Sequence, residues 1–190
     1  MKQLIENSLR EHLDVAARFV NSPATVQAIA DAAKIIADSF SAGGKLLTCG
    51  NGGSLCDATH FAEEFTGRYR GSRRPMPAIA LNDPAHITCV TNDYHFEDIY
   101  SRSVEALGRK GDVLACFSTS GTSADVLAAA RVAREKGMKV IGFARSGSNP
   151  LSELSDVVIA VDHDKYSDRI QEMHIIAVHI IIEGVEKLLG

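Results

Sequence analysis

The chain has 190 residues, of which 45% are hydrophobic, and its formal net charge is -4. This length and composition are typical of one globular domain with a single core, and nothing in the sequence indicates a second domain. A nucleic-acid backbone is not an expected partner, because the charge is negative and the sequence has no basic stripe.

The first twenty or so residues have the pattern of an amphipathic helix rather than of a signal peptide. Its apolar positions recur at helical spacing with charged residues between them: Leu4 or Ile5, Leu9, Leu13, Ala16 and Val20. The longest apolar stretch near the C-terminus is interrupted by His179 and Glu183 and is too short to span a bilayer. We therefore expect a cytoplasmic protein without a membrane segment.

A second helix is predicted to follow directly. Ser22 can cap its N-terminus and Pro23 suits its first turn, while Gly43 and Gly44 stop it after about Ser41. From there, short apolar runs alternate with helical patterns, and the runs cover residues 45–49, 77–81, 112–117, 138–144 and 156–161. This alternation predicts an α/β fold with a parallel sheet covered by helices on both faces.

The four cysteines, Cys49, Cys56, Cys89 and Cys116, contain no CxxC pair. Two of them end or nearly end apolar strand patterns, where small buried thiols are common. Reduced core cysteines are therefore expected rather than a zinc knuckle or a disulfide framework.

Two turns rich in small residues follow the first and third predicted strands, where open parallel sheets bind ligands. The first turn, residues 50–53, lacks the last glycine of a dinucleotide fingerprint, because Leu55 occupies that position. The turn has two interpretations. Its glycines either allow close backbone approach to a polar ligand or form a tight turn with no chemical consequence.

The second turn, residues 118–123, collects hydroxyl groups before a helix. Thr122 can cap this helix and Asp125 can reach back as in a capping box, so that hydroxyls and free N–H groups surround an anion. The alternative is an ordinary strand-to-helix turn whose hydroxyls only cap backbone. The loop contains no P-loop lysine, so the expected phosphate is on a small molecule rather than on a nucleoside triphosphate.

The helix after the first turn, which Ser54 is predicted to cap, carries a polar series opposite its apolar stripe. The stripe consists of Leu55, Ala58, Ala62 and Phe65. His60, Glu64 and Arg68 follow one another at four-residue spacing and point away from the core. Such a series is either a solvated face with a helix ion pair or, with further partners, part of a site.

Those partners can come from the last predicted helix, residues 168–189, where Gln171 precedes a run of isoleucines and His179 interrupts it. A histidine in this setting is either a hydrogen-bonded core residue or, with His60 and Glu64, a metal ligand. Gln171 and His179 lie about 12 Å apart along the helix axis, so both side chains would have to lean inward. The helix is apolar nearly all round, so it is either central to the fold or covered by other protomers, and we favour an oligomer.

The remaining polar candidates are less informative. Asp93 in the Asn92-Asp93 pair could bind sugar hydroxyls or cap a helix that begins near Phe96. The other histidines do not have the spacing of metal ligands, and we interpret them as structural residues: His12, His86, His95, His163 and His174.

Taken together, these segments closely resemble the phosphoheptose isomerases of the sugar isomerase (SIS) domain superfamily over nearly the whole chain. The motifs that carry the resemblance are CGNGGS, DATHFAEEFTGRYR, TNDY, STSGTSADV and DRIQEMH, with His179. The resemblance implies a single SIS domain over residues 1–190, a flavodoxin-like three-layer sandwich. Residues 1–42 would be an N-terminal helical extension that packs in the oligomer, and residues 43–190 the α/β core with the C-terminal helix.

The resemblance also implies an activity. Phosphoheptose isomerases convert sedoheptulose 7-phosphate to D-glycero-D-manno-heptose 7-phosphate, the entry to ADP-heptose for the lipopolysaccharide core. They do so through an enediol. Related enzymes are cytoplasmic homotetramers with zinc, and sites at subunit interfaces are expected.

Carried over by position, the family pattern assigns zinc binding to His60, Glu64, Gln171 and His179, and proton transfer to Glu64 and His179. The implied substrate contacts are Asn51, Gly52, Gly53, Glu64, Asn92, Asp93, Ser118, Thr119, Ser120, Ser123 and Gln171, with Arg68 and Asp168 as additions. The chain departs from the family in having Thr122 where asparagine is frequent and in lacking a double glycine within residues 146–149. Neither departure involves the implied acid and base.

Two other functions are compatible with this scaffold. A non-catalytic SIS-type regulator would bind a replication initiator protein, but such relatives lack the glutamate and histidine that are present here. A different aldose-ketose isomerase is the other alternative, because a phosphate loop does not report the carbon number of the sugar.

Overall fold

The computed structural model describes all 190 residues, and it contains eight α-helices and five strands. The helices are α1 Lys2–Val20, α2 Pro23–Ser41, α3 Gly53–Thr66, α4 Pro84–Asp93, α5 Ile99–Leu107, α6 Ala124–Glu135, α7 Pro150–Leu154 and α8 Ser167–Leu189. The strands are β1 Leu46–Gly50, β2 Ala78–Ala80, β3 Val113–Phe117, β4 Lys139–Arg145 and β5 Val157–Val161. A short 3-10 turn, Phe96–Asp98, precedes α5.

The five strands form one parallel sheet in the order β2-β1-β3-β4-β5. Helices α2, α3 and α8 bury one face, and α4, α5 and α6 bury the other. This three-layer arrangement confirms the predicted fold class. Because Gly50 pairs with Phe117 in register, the turns that follow β1 and β3 leave the sheet side by side.

The predicted bounds of the strands and of the first two helices agree with the structure to within about two residues. Ser22 caps α2, and its Oγ accepts a hydrogen bond of 3.3 Å from the Thr25 N–H. The prediction succeeds here because a serine followed by proline is a strong local start signal that needs no tertiary partner.

Two predicted helix starts are wrong. Helix α6 begins at Ala124 after Ser123, so Thr122 is not its cap, and the Asp125 carboxylate does not complete a capping box. Helix α3 begins after Gly52, so Ser54 lies inside its first turn. At α6, Asp125 accepts hydrogen bonds from Asn51 instead of completing the capping box. At α3, the Ser54 hydroxyl lies 3.3 Å from Nε2 of Gln171.

Helix α8 is central to the fold of the single chain. Its apolar side chains are buried against α2, α3 and the sheet, among them Met173, Ala177, Val178, Ile181 and Ile182. This packing accounts for most of the isoleucine-rich run, but Ile180 remains 45% exposed.

Helix α1 is the least buried helix of the N-terminal part. Only Val15 and Phe19 of this helix belong to the core, whereas the predicted stripe with Leu4, Leu9 and Leu13 faces outward. No helix combines the length and the hydrophobicity that crossing a bilayer requires.

Candidate active site

The turn after β1 contains glycines where a positive φ or close packing disfavours a larger residue. Gly52 has φ +55°, and a Cβ added at Gly50 would approach Phe117 Cβ to 2.9 Å. A Cβ at Gly53 would lie 2.6 Å from Oε1 of Gln171. The main-chain N–H groups of Gly52 and Gly53 make no hydrogen bond within the chain, so this turn presents donors at the positive end of α3.

The turn after β3 is the predicted phosphate loop. Ser118 Oγ and Ser123 Oγ are 2.9 Å apart, and the loop turns at Gly121, where φ is +70°. The main-chain N–H groups of Thr119 and Ser120 have no acceptor in the chain. Hydroxyls and free N–H groups therefore converge at the start of α6, which is the arrangement that binds a phosphate.

A buried carboxylate connects the two turns. Asp125, in the first turn of α6, accepts hydrogen bonds of 3.0 and 2.8 Å from Nδ2 of Asn51. Tyr100 donates to the Gly50 carbonyl and lies 3.4 Å from Oδ1 of Asn51. The Asn51 side chain is thus engaged inside the protein, so contacts from this turn to a ligand fall to its main chain.

Three of the predicted metal ligands form a cluster between α3 and α8. The ligand atoms of His60, Glu64 and His179 all lie within 4.8 Å of one another. Nε2 of His60 is 3.0 Å from Oε1 of Glu64, and the two imidazole rings are 5.1 Å apart. The His60 side chain is 39% exposed and the Glu64 side chain 15%, so the pair lies outside the apolar core, as predicted, but it packs against α8 and is not a fully solvated helix face.

Two residues that sequence reasoning did not select lie next to the cluster. The Tyr69 ring stacks on His179 at 5.8 Å between centroids. Burial raises the pKa of Asp57 to about 6, and the nearby His60 partly opposes this rise. Asp57 precedes His60 by three residues on the helix, a spacing that could have identified it from the sequence.

Gln171 lies elsewhere in the single chain. Its Nε2 is 3.3 Å from Ser54 Oγ, at the beginning of α3, about two helical turns from the cluster. Helix α3 runs back from the carboxyl ends of the strands, so Glu64 lies about 16 Å along its axis from Gly53. One chain therefore keeps Gln171 and the two turns at one end of α3 and the three-residue cluster at the other.

The other predicted contacts are more peripheral. Asn92 and Asp93 occupy the exposed last turn of α4, and Asp93 caps no helix, because His95 precedes the 3-10 turn. Arg68 lies just beyond the end of α3, and Asp168 is an exposed residue of the first turn of α8.

The predicted role of the cysteines is confirmed in part. All four are free thiols, but only Cys49 and Cys116 are buried, with their sulfur atoms 3.9 Å apart on neighbouring strands. Cys56 and Cys89 are exposed on helices.

The cluster has the donor chemistry of a zinc site. Two imidazole nitrogens and one carboxylate oxygen are ligands that zinc prefers, and three protein ligands leave a fourth position of a tetrahedron open. In a tetrahedral zinc site the ligand atoms are about 3.4 Å apart, so a spread of up to 4.8 Å needs only small side-chain movements. The residues present therefore fit the metal.

Known proteins give an independent comparison. The SIS domain family model matches residues 11–144. A phosphoheptose isomerase of Escherichia fergusonii is 54% identical over 98% of this chain and 97% of its own length. A solved phosphoheptose isomerase, GmhA from Neisseria gonorrhoeae, superposes with a TM-score of 0.91 at 34% identity and covers 98% of both chains.

A phosphoheptose isomerase from Francisella tularensis gives the same TM-score of 0.91 at 34% identity over 97% of each chain. The relative and the two solved structures align with 97% or more of this chain, whereas the family model stops before α8. The chain belongs to the SIS domain family and, within it, to the phosphoheptose isomerases.

Proposed function

We propose that this protein converts sedoheptulose 7-phosphate to D-glycero-D-manno-heptose 7-phosphate, which supplies ADP-heptose for the lipopolysaccharide core. The observation that carries the proposal is the meeting of His60, Glu64 and His179 within 4.8 Å, in a chain that belongs to the phosphoheptose isomerases. A carboxylate beside an imidazole can remove a proton from carbon and return one, as ketose-aldose isomerisation requires.

In the proposed reaction the turn at residues 118–123 binds the phosphate and thereby fixes the position of the reacting carbons. Glu64 removes a proton from C1, and His179 donates a proton to the C2 carbonyl oxygen, which gives the enediol. Return of a proton to C2 and loss of the proton on the C1 oxygen yield the aldose. The transfers balance, since the substrate and product are isomers.

His60, Glu64 and His179 would hold zinc, and Gln171, which lies away from them within one chain, is proposed to join the set from a neighbouring protomer. When bound, zinc polarises oxygen atoms of the substrate and orients its ligands. Glu64 has two carboxylate oxygens, so one can face the metal while the other accepts a proton. Asn92, Asp93 and the main chain of residues 51–53 are proposed to bind the sugar hydroxyls.

We also propose that the site is completed between protomers of a homotetramer. The argument is geometric, because the phosphate loop and the Glu64 carboxylate lie at opposite ends of α3 in one chain. A neighbouring protomer can bring its phosphate loop to the Glu64 carboxylate of the first chain. The outward apolar stripe of α1 offers a surface for such packing. A cytoplasmic location stays a prediction from the sequence.

The test is direct. The pure protein is incubated with sedoheptulose 7-phosphate, and aldose formation is followed by NMR with and without a chelator. Wild type should form the aldose, whereas Glu64→Gln and His179→Gln should each lose at least about 100-fold in turnover with the fold unchanged. Near-native turnover of both variants would refute the assignment of acid and base.

The regulator alternative is not favoured, because the chain is 54% identical to a phosphoheptose isomerase and carries the glutamate and histidine that such regulators lack. Shorter ketose phosphates are assayed in the same experiment. Faster turnover of one of them than of the heptulose phosphate would identify a different aldose-ketose isomerase on this scaffold.

A further inference from the structure

The segment between α3 and β2 lies across α8 through three successive side-chain contacts. Tyr69 stacks on His179, Arg70 pairs with Glu183 at 2.8 Å, and Arg73 pairs with Glu186 at 2.6 Å. The three partners on α8 follow one another at spacings of four and three residues and therefore share one face of the helix. The segment that leaves α3 is thus aligned along the helix that carries His179.

Arg73 makes the most extensive of these contacts. Its Nε donates to Oε1 of Glu186, its Nη2 donates to the Glu64 carbonyl at 2.6 Å, and its Nη1 donates to the Phe65 carbonyl at 2.8 Å. The last carbonyls of a helix lack partners within the helix, so the guanidinium satisfies groups at the end of α3. The Arg73 side chain is only 15% exposed, which strengthens these charged hydrogen bonds.

This geometry makes one side chain a fixed link between the two helices of the cluster. On α3, Arg73 binds the main chain of Glu64 itself, and on α8 it binds a residue two helical turns beyond His179. A planar guanidinium can serve three acceptors in fixed directions, whereas a lysine ammonium on a flexible stem cannot hold the same arrangement.

We propose that Arg73 is a positioning residue for the His60–Glu64–His179 cluster, since it sets how α3 and α8 are aligned where they present these side chains. Arg73 does not touch the reacting atoms and acts through the main chain of Glu64. The proposal deepens the proposed function, on which it rests, because the cluster is the proposed metal and proton-transfer site.

Arg70 provides a matched control. Its ion pair with Glu183 lies on the same face of α8, but the Arg70 and Glu183 side chains are 66% and 53% exposed. The guanidinium that donates to the Glu64 and Phe65 carbonyls at the end of α3 is that of Arg73, not that of Arg70. An exposed pair of this kind contributes little to stability. The Arg70 guanidinium also lies over the Tyr69 ring, 5.1 Å from its centroid. A lysine keeps a cation there, so Arg70→Lys tests the loss of the guanidinium fork without removing the charge.

The experiment compares Arg73→Lys with Arg70→Lys in the full-length protein. Zinc affinity is measured by competition with a chromogenic chelator, Co²⁺ binding by its visible absorption spectrum, and turnover by the NMR assay. Arg73→Lys should bind zinc about tenfold or more weakly, as loss of an outer partner of a metal site does, and should change the Co²⁺ spectrum. Its kcat should fall while KM stays near the wild-type value, because the phosphate loop is untouched.

Arg70→Lys should match wild type in all three measurements. If Arg73→Lys had the zinc affinity, Co²⁺ spectrum and kcat of Arg70→Lys, the positioning role would be refuted. If Arg73→Lys did not fold, Glu186→Gln would replace it. Glu186→Gln keeps the hydrogen bonds from Arg73 to the two carbonyls of α3, so its zinc affinity and kcat should fall less than those expected for Arg73→Lys. Wild-type zinc affinity and kcat in Glu186→Gln would equally overturn the proposal.

The outcomes also separate this inference from the function on which it rests. Wild type that neither binds zinc nor isomerises the heptulose phosphate would refute the proposed function. Wild type that does both, together with an Arg73→Lys variant that does both equally well, would refute only the role of Arg73.

Discussion

His174 lies in the buried core, one helical turn from Gln171 on α8. Its ring packs edge-on against Phe117 and Phe143, and neither ring nitrogen makes a hydrogen bond of normal geometry. Burial lowers the pKa of His174 to about 3, although the Ala144 carbonyl weakly favours the protonated ring. The histidine is therefore neutral in the folded protein at every pH near neutrality, and its prediction as a structural residue agrees with this position.

A pH dependence of stability follows. In the unfolded chain His174 takes up a proton below a pKa of about 6.5, whereas the folded protein resists protonation down to about pH 3. The folded state therefore loses stability as the pH falls through this window, by roughly 2 kcal/mol between pH 7 and pH 5. In His174→Phe this part of the pH dependence should disappear, as measured by urea unfolding at both pH values.

The exposed His95 supplies the control, because His95→Phe also removes one histidine but leaves the core unchanged. A His174→Phe variant that lost as much stability as wild type between pH 7 and pH 5 would contradict the assignment.

At the scale of elements, the two ligand turns depend on each other. Asn51 belongs to the turn after β1 and Asp125 to the start of α6, and their paired hydrogen bonds hold the Gly50–Gly53 turn beside the phosphate loop. The carboxylate is buried at the positive end of α6, where the helix dipole stabilises its charge. The family resemblance implied a substrate contact for Asn51, and the local sequence pattern assigned Asp125 to a capping box. Neither of these inferences predicts the hydrogen bonds between the two side chains.

Removal of this connection should weaken substrate binding. A hydrogen bond to a charged group contributes about 1.5 to 3 kcal/mol, so Asp125→Ala should raise KM for the heptulose phosphate by about tenfold or more. The loss arises because the turn is free to move away from the phosphate loop. Steady-state kinetics measure this change.

Glu135→Ala, at the exposed opposite end of α6, should leave KM unchanged. A wild-type KM for Asp125→Ala would mean that the two turns keep their geometry without the carboxylate.

At the scale of the whole molecule, an apolar surface groove remains between α1, α2 and α8. It has a volume of about 330 Å³, and most of its lining is hydrophobic: Phe19, Val20, Val26, Ile29, Ala30, Ala33, Ile176 and Ile180. Val26 is 61% exposed in the single chain. An apolar patch of this kind marks an interaction surface, in agreement with the proposal that the N-terminal helices pack in an oligomer.

Val26→Glu should therefore reduce the size of the assembly, because a charge buried in an apolar contact is strongly unfavourable. Light scattering coupled to size exclusion would measure the molar mass, and turnover should fall with it if the site needs two protomers. Ala24→Glu places the same charge on another face of α2 and should leave both unchanged. A Val26→Glu protein with the wild-type mass would remove this groove from the interface.

The sequence by itself determined the parallel α/β class, the strands, the N-terminal helices and the two turns. Each of these rests on a short-range signal: an apolar run, a serine before proline, or glycines and hydroxyls after a strand. The histidine and glutamate at four-residue spacing on α3 were equally visible, because helical periodicity alone places them on one face.

Only the tertiary structure decided which residues meet. It brought His179 to His60 and Glu64, engaged Asn51 with Asp125, moved both predicted helix starts, and separated Gln171 from the cluster. The physical reason is that the site depends on the packing of α3 against α8, and the residues that meet there are far apart in the sequence. Ser54 and Gln171, for example, are in contact but 117 positions apart. Such contacts depend on how the whole core closes, and no local pattern in the sequence records that packing.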